Sequence, residues 1–357
     1  MNDDFFDPID DDGLSRPTPF SLEDTLAALS DENHAVLPAG AVYGLSDMIA
    51  GADLEAFRST WSELSVERRR TLIDQLAEIS EMNFELDYEP IALVLFDDDD
   101  DEVRSTAVDL PWYSTSMNIY NAMVRMADDP SPLVRARVMS AMGRFIYLGE
   151  LEEFDLQLAE ALQRITVDHY DNWDEDLEVR RRALEAISHC SHPRVPEMIE
   201  ESYQSDEILM QVSSVFAMGA SCDDRWADTV LRELDNYVDE MRFEAARAAG
   251  QLSLSEAVPR LTELAYETDV EVQLASVWAL GEIGTREAQR SLEAIANWAE
   301  ENEDDDLVEA TEEALEVASL VGGFILPMFD FSDDDDFYTD DDEYYDDEFD
   351  DDPSSFN

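Results

Sequence analysis

The sequence predicts an all-α solenoid of about seven to eight helix–turn–helix repeats, with disordered acidic segments at both ends. Two observations predict this fold. A ten-residue motif that begins with an apolar residue recurs at steps of 31, 45, 31, 31, 31 and 35 residues. Within each copy, apolar and small residues recur at the spacing of one helix face. A recurring period of roughly 20 to 50 residues is typical of proteins that stack one structural unit on the next.

We call this segment the repeat motif and number its positions from zero to nine. Position seven is alanine in six of the seven copies, and position nine is glycine in four. We expect one helix per motif, with small residues that let neighbouring helices approach closely and a left-handed glycine that ends the helix. Position zero is Val103, Val134, Val179, Met210, Met241, Val272 and Leu307.

An aspartate precedes each copy, and we expect it to cap the helix N-terminus. These residues are Asp101, Asp129, Asp176, Asp206, Asp239, Asp269 and Asp306.

The motif resembles the HEAT-repeat family, in the short form of phycobilin-lyase-type repeats. The matching residues are Asp-x-Val-Arg at Asp101 to Arg104, the same pattern with one extra residue, Asp-x-x-Val-Arg, at Asp176 to Arg180, and the alanine-rich run that follows. The resemblance covers residues 64–321 and implies a solenoid. Gln211 and Gln273 depart from it, because they replace the arginine.

The chain divides into four predicted segments. Residues 1–20 form a disordered acidic arm, and residues 21–96 a helical cap with a degenerate first repeat. Residues 97–321 form the HEAT-like solenoid, and residues 322–357 an apolar peptide followed by a disordered acidic and aromatic tail.

Local signals predict the individual elements within these segments. Helices are expected over 21–30, 53–64, 66–80 and 90–96, the first capped by Ser21 and Asp24. A proline- and glycine-containing loop is expected over 34–44. The 45-residue step is expected to hold a helix over 151–167 and a long acidic loop over 168–176.

The charge of the chain limits its partners. The formal net charge is −66, from 88 acidic residues and 22 basic residues, all of them arginine. Nucleic acids and anionic membranes are excluded on electrostatic grounds, and a basic protein is favoured. The arginine clusters 68–70 and 180–182 are expected to pair with neighbouring acids. With no run of 18 apolar residues, no signal peptide and two cysteines, we expect a cytoplasmic protein.

No motif indicates a catalytic residue, a cofactor or a metal ion. The acidic run 97–102 lacks the glycine turn and ligand spacing of a calcium-binding loop, so it favours helix capping. His189, Cys190 and His192 form the one cluster of soft ligands, and only Cys222 could join them.

Positions two and six of the motif are expected to point away from the core. They are polar in most upstream copies, but three adjacent copies carry apolar groups and one arginine there. Stacked aromatic residues rimmed by acid suit a basic amphipathic segment of a partner in a groove, although solenoid curvature could bury them. The predicted groove residues are Val212, Phe216, Phe243, Arg247, Leu274 and Trp278.

The C-terminal tail is a second candidate surface. Residues 329–357 carry 15 acidic residues, eight Phe or Tyr, and no basic residue. Such a tail either engages basic proteins or only keeps the chain in solution. Residues 324–329 either cap the last repeat or occupy the groove. The candidate tail residues are Phe329, Phe331, Phe337, Tyr338, Tyr344, Tyr345 and Phe349.

The sequence favours a non-catalytic scaffold that binds a basic protein partner in the solenoid groove. The first alternative is an acidic chaperone or polyanion mimic that acts through the tail. The second, implied only by the family resemblance, is a phycobilin-lyase-like enzyme.

Overall fold

The computed structural model describes residues 17–32, 36–46, 51–83 and 85–321. In this part of the chain every regular element is a helix, which confirms the predicted all-α solenoid. None of the described helices has an apolar stretch long enough to cross a lipid bilayer. Most of the predicted N-terminal arm and the whole predicted C-terminal segment lie outside the described residues.

The N-terminal part contains α1 (Leu22–Ser30), α2 (Ala39–Ser46), α3 (Ala52–Glu63) and α4 (Val66–Met82). The Ser21 hydroxyl accepts the backbone N–H of Asp24 and donates to its carboxylate, which confirms the predicted cap. The predicted loop over 34–44 is wrong from residue 39 onward, where α2 begins. Burial of Val42 and Leu45 against the neighbouring helices outweighs the weak helix propensity of the glycines.

Two sets of helices alternate through the solenoid. Those with the repeat motif, which we call motif helices, are α6 (Asp101–Ala107), α8 (Pro132–Glu150), α10 (Leu177–Ile187), α12 (Ile208–Ala220), α14 (Asp239–Gln251), α16 (Val270–Ile283) and α18 (Asp305–Val321). The second helices are α5 (Glu89–Leu95), α7 (Met117–Met126), α9 (Leu156–Asp171), α11 (Val195–Tyr203), α13 (Ala227–Glu233), α15 (Val258–Leu264) and α17 (Arg286–Asn302). Each motif helix packs against the next, from α6 to α18, and α4 packs against α6. These helices therefore form one continuous layer.

The motif glycines bring neighbouring motif helices together and do not end them. A Cβ added at Gly219 would lie 2.7 Å from the Cα of Ala248, which is position seven of the next copy. The helices continue past the glycines, and the left-handed residue after α12 is Cys222. The predicted helix-ending role is therefore wrong, and the predicted close approach is confirmed. The same glycine–alanine contact joins Gly143 to Ala186, Gly250 to Ala279 and Gly281 to Ala314.

Only some of the predicted aspartate caps form. Asp176 and Asp269 accept a backbone N–H in the first turns of α10 and α16, as expected. Asp100 caps α6 in place of Asp101, and Asp239 lies inside α14, where its carboxylate pairs with Arg242 at 2.6 Å. The prediction fails for Asp101 and Asp239 because each is the first residue of its helix and not the residue before it.

The arginine at motif position one links successive repeats. Arg104 donates to the backbone oxygen of Asp98, six residues upstream, and pairs with Asp129, 25 residues downstream, at 2.9 Å. Arg242 does the same with Asn236 and with Glu267. Gln211 keeps only the bond to the backbone oxygen six residues upstream. The departure from the family pattern therefore removes an ion pair and keeps a hydrogen bond.

In each arginine cluster, two of the three arginines pair with described acids of the solenoid, so the prediction is confirmed in part. Arg69 pairs with Asp98 and Asp99, and Arg70 with Asp100 and Glu102. These contacts hold four carboxylates of the acidic run 97–102. In the second cluster, Arg181 and Arg182 both pair with Glu178 on α10.

The residues added in the 45-residue step lengthen two helices. Helix α8 has 19 residues and α9 has 16, so only residues 172–176 connect α9 to α10. The predicted loop over 168–176 is wrong in its first part, because Tyr170 is helical and buried, with its hydroxyl donating to the backbone oxygen of Met198. Trp173 stays in the loop, 81% exposed, with the Arg180 guanidinium 4.2 Å from its ring.

Candidate functional site

The six predicted groove residues lie on three neighbouring motif helices, α12, α14 and α16. Trp278 is 40% exposed, whereas Val212 is buried at 8% exposure. Phe216, Phe243, Arg247 and Leu274 are half-buried. Their assignment as binding residues stays a prediction.

Motif position two is less accessible than expected. Ser105, Ala136 and Arg181 at this position are buried, as is Val212. The glycine–alanine contacts bring the motif helices so close that position two lies at the interface between them. We call the accessible surface of the motif helices the motif-helix face. Position six therefore contributes more of this face than position two does.

Aromatic side chains form a line across this face. The Arg247 guanidinium lies over the rings of Phe216 and Phe243, 5.6 Å from each centroid. Phe216 meets His189 edge-on at 5.8 Å, and His189 meets Tyr147 at 5.9 Å. These five residues, which we call the aromatic line, connect α8 with α14.

Trp278 lies next to this line. A Cβ added at Gly250 of α14 would lie 2.8 Å from its ring, so the indole covers that glycine. Trp278 also lines a small pocket of about 140 Å³ between α16 and α18, together with Glu282 and Glu313. This end of the face therefore combines an exposed indole with carboxylates.

A larger pocket of about 520 Å³ opens at the upstream end of the aromatic line. Trp112, Tyr147, His189 and Phe216 supply its aromatic walls, and Cys222 lies at its edge. Its volume is in the range of small-ligand sites. We call it the aromatic pocket.

The ionisable groups of the aromatic pocket differ in their charge state and in whether they pair with another residue. Both oxygens of Glu185 accept hydrogen bonds, from Ser213 and from Arg182, at 2.6 Å each. Burial, and then the nearby charge of Arg247, lowers the pKa of His189, so its ring is neutral at pH 7. Arg144 stacks on Phe145 at 4.8 Å and forms no ion pair with any described residue.

Two carboxylates on the motif-helix face titrate nearer to neutrality than usual. Burial raises the pKa of Glu244 to about 7, even though Arg247 lies 3.5 Å away. Burial likewise raises the pKa of Asp109 to about 6, opposed by its ion pair with Arg137 at 2.6 Å. The charge of this face therefore changes with pH in the physiological range.

The upstream part of the face is more polar. A pocket of about 480 Å³ spans α4 to α10 and is lined by Arg70, Arg137 and Arg182 together with Glu102 and Glu178. These arginines all pair with carboxylates. This part of the face is therefore a network of satisfied ion pairs beside an aromatic surface.

Sequence reasoning missed the aromatic pocket because it considered only motif positions two and six. Arg144 and His189 stand at position ten, and Tyr147 at position thirteen. Positions six, ten and thirteen are separated by four and seven residues, so they share one helix face. Extending the motif by one turn identifies three pocket residues, but not Trp112, which follows α6.

The other candidate groups have plain structural surroundings. Cys190 is buried, its thiol donating to the Ile187 backbone oxygen, and Cys222 is exposed. Within the described residues, no group of three or more His, Cys, Asp and Glu is placed to hold a metal ion. The candidate tail residues from Phe329 to Phe349, and the peptide 324–329, lie outside the described residues.

Comparison with known proteins identifies the repeat. Residues 227–316 match the family model of HEAT repeats, which confirms the predicted resemblance over that part of the chain. The resemblance to the phycobilin-lyase-type subgroup stays a prediction. No curated protein sequence matches the chain.

Several solved structures are similar to this chain at low sequence identity. Human deoxyhypusine hydroxylase in complex with glycerol is 14% identical, with 84% of this chain and 96% of that chain covered, at a TM-score of 0.32. Importin beta is 12% identical, with 85% and 45% covered, at a TM-score of 0.42. An engineered protein is 17% identical, with 58% and 98% covered, at a TM-score of 0.36.

Proposed function

We propose that this chain is a non-catalytic scaffold that binds another protein along its motif-helix face, and that the partner carries a basic or amphipathic surface. The aromatic line is the observation that carries the proposal. It crosses three repeat interfaces, continues beside the 40% exposed indole of Trp278, and opens into the aromatic pocket. Clustered aromatic and arginine side chains are typical of the energetic centres of protein interfaces.

The charge of the chain supports a basic partner. Acidic residues outnumber arginines by 88 to 22, so a cationic protein is attracted over a long range. At the Trp278 end of the face, Glu282 and Glu313 form no ion pair with a described residue. A lysine or arginine of the partner that lies over the indole would meet both carboxylates.

The decisive test is capture from host lysate at low and high salt. The wild type is compared with the Phe216→Ala, Phe243→Ala, Trp278→Ala triple variant. Trp173→Ala with Tyr237→Ala is the matched control, because these residues are 81% and 89% exposed but lie in loops away from the face. We expect a partner that the wild type and the control retain and the triple variant loses, while circular dichroism shows that all three are folded.

A different outcome would show that the aromatic line is not the binding site. If all three proteins capture the same basic proteins and release them at high salt, acidity alone accounts for binding. Comparison of capture at low and high salt therefore distinguishes binding through the aromatic line from binding through the negative charge of the chain.

The acidic tail supports a second candidate function, because eight Phe or Tyr among 15 acidic residues suit a chaperone or polyanion mimic. Deletion of residues 329–357 distinguishes the two. Scaffold binding survives the deletion, whereas binding through the tail is lost. Visible-light absorption by the purified chain would instead favour the phycobilin-lyase-like alternative.

A further inference from the structure

Arg144 is an exception among the arginines of the motif-helix face. There are four acidic residues for each arginine, and the other arginines on the motif-helix face, such as Arg137 and Arg182, pair with carboxylates. Arg144 is half-buried, and none of the described carboxylates pairs with it. Its one hydrogen bond to a described residue runs from Nη2 to the Ser114 backbone oxygen. A partly buried guanidinium without a counter-ion is costly, so its remaining donors mark a place for an anion.

The surroundings of Arg144 define which anion fits. Its guanidinium lies 5.8 Å from the Trp112 ring centroid and 4.8 Å from that of Phe145, so it has aromatic rings as neighbours. Tyr147, 46% exposed, and Phe216 supply further apolar surface in the same pocket. A free inorganic anion would leave these rings in water. A carboxylate attached to a ring would use both the guanidinium and the rings.

The other charged groups of the pocket do not oppose an anion. Glu185 is the acidic side chain among the described lining residues, and Arg182 and Ser213 hold its two oxygens. His189 is neutral at pH 7, and the Arg247 charge lies on the far side of Phe216. The local field in the pocket therefore differs from that of the strongly acidic molecule around it.

We propose that the aromatic pocket binds the C-terminal residue of a partner protein, with an aromatic side chain among the rings and the terminal carboxylate on Arg144. The proposal rests on the scaffold function, since the pocket is continuous with the aromatic line along which the rest of the partner segment extends. It also reconciles an acidic protein with an anion site. A basic segment that ends a chain carries one carboxylate at its C-terminus, and that group can pair with Arg144 while its lysines and arginines meet the acidic surface.

The test is calorimetric titration of the full chain with two peptides, acetyl-Arg-Ala-Arg-Ala-Phe with a free C-terminus and the same peptide as its amide. The acid carries one positive charge less, so the net charge of the protein favours the amide. We expect the acid to bind about tenfold to a hundredfold more tightly, because it alone forms the charged pair with Arg144. Equal affinity, or tighter binding of the amide, would overturn the proposal.

Three variants locate the effect at Arg144. Arg144→Gln removes the preference for the acid, and Arg144→Lys retains part of it. Arg290→Gln is the matched control, because Arg290 is an exposed arginine of α17 that also forms no ion pair with a described residue; it keeps the full preference. A preference that survives in Arg144→Gln contradicts the proposal.

Cys222 gives an independent reading of pocket occupancy, because it lies at the edge of the pocket and is exposed, whereas Cys190 is buried. The acid peptide slows alkylation of Cys222 by N-ethylmaleimide, and the amide does not.

A third ligand, 3-phenylpropionate, tests the source of the carboxylate. Affinity equal to that of the acid peptide would assign the pocket to free aryl acids and overturn the peptide assignment. If the peptides fail while lysate capture still depends on the aromatic line, the scaffold proposal stands without this pocket.

Discussion

At Gly219, the backbone of α12 lies against Ala248 of α14 with no space for a methyl group. The added Cβ would meet the Cα of Ala248 at 2.7 Å and its Cβ at 2.9 Å. Neither atom can rotate away, so the two helices would have to separate. At Gly143 the corresponding distances to Ala186 are 3.1 and 3.3 Å, which a small shift can accommodate.

These distances predict an order of stability. We expect Gly219→Ala to lower the free energy of unfolding by about 1–3 kcal/mol, because overpacking outweighs the higher helix propensity of alanine. Gly143→Ala, the matched control, costs less. Urea unfolding of both variants measures the difference, and an equal or reversed order would contradict the close-contact account.

Glu244 makes stability depend on pH. Burial raises the pKa of its carboxyl from 4.5 to about 7, so the folded protein holds a proton that the unfolded chain has already lost between these values. The free energy of unfolding therefore falls as pH rises through this window. Above pH 7 the cost of keeping Glu244 charged in the folded state is about 1–3 kcal/mol.

Glu244→Gln removes this cost. We expect the variant to melt at a higher temperature than the wild type at pH 8 and at nearly the same temperature at pH 5. Glu240→Gln, exposed on the same helix, controls for the loss of one negative charge from the chain. If both variants gain equally at pH 8, general charge repulsion is responsible and the burial of Glu244 is not.

At the scale of elements, ion pairs join some of the motif helices to the loop before the next one. The partner of Arg104 is Asp129 and that of Arg242 is Glu267, in each case 25 residues downstream. Gln211 replaces the arginine, and the residue 25 positions after it is Asn236. The acid is therefore absent where the arginine is absent, as expected if the two act together.

A double-mutant cycle measures this link. We expect Arg242→Gln and Glu267→Gln to be coupled by about 1 kcal/mol, because the Arg242 side chain is only 12% exposed. The coupling shrinks as salt is added. Arg125→Gln with Asp97→Asn is the control, since this pair also joins two repeats but is about 60% exposed on both sides and should show almost no coupling.

How much was predictable differs from element to element. Helices α3 and α4 are close to their predicted bounds, because strong apolar periodicity specifies them locally. Glycine at motif position nine has two physical uses, ending a helix and admitting a neighbour, and the local pattern suggested the wrong one. The aromatic pocket was missed because its residues meet only when three repeats are stacked. Helix α2 was not predicted because burial against other helices, and not the local propensity of its residues, makes this segment helical.

For the whole molecule, the balance of charge is the dominant long-range term. With a net charge of −66, repulsion opposes the folded state, and added salt screens it. We expect the melting temperature to rise by several degrees between low and high sodium chloride. Deletion of residues 329–357 removes 15 acidic residues, so the truncated chain should show a smaller rise. A fall in melting temperature would mean that the inter-repeat ion pairs outweigh repulsion.

The long repeat shows which changes in length the chain can accept. The 45-residue step exceeds the common step of 31 by 45 − 31 = 14 residues. Helix α8 is six residues longer than α12 (19 − 13), and α9 is seven longer than α11 (16 − 9). At about 3.6 residues per turn, the seven residues added to α9 make almost two whole turns, and the six added to α8 make about one and two-thirds. The packing of α8 on α10 and of α10 on α12 is nevertheless continuous, so residues added as helical turns lengthen a repeat without interrupting the layer of motif helices.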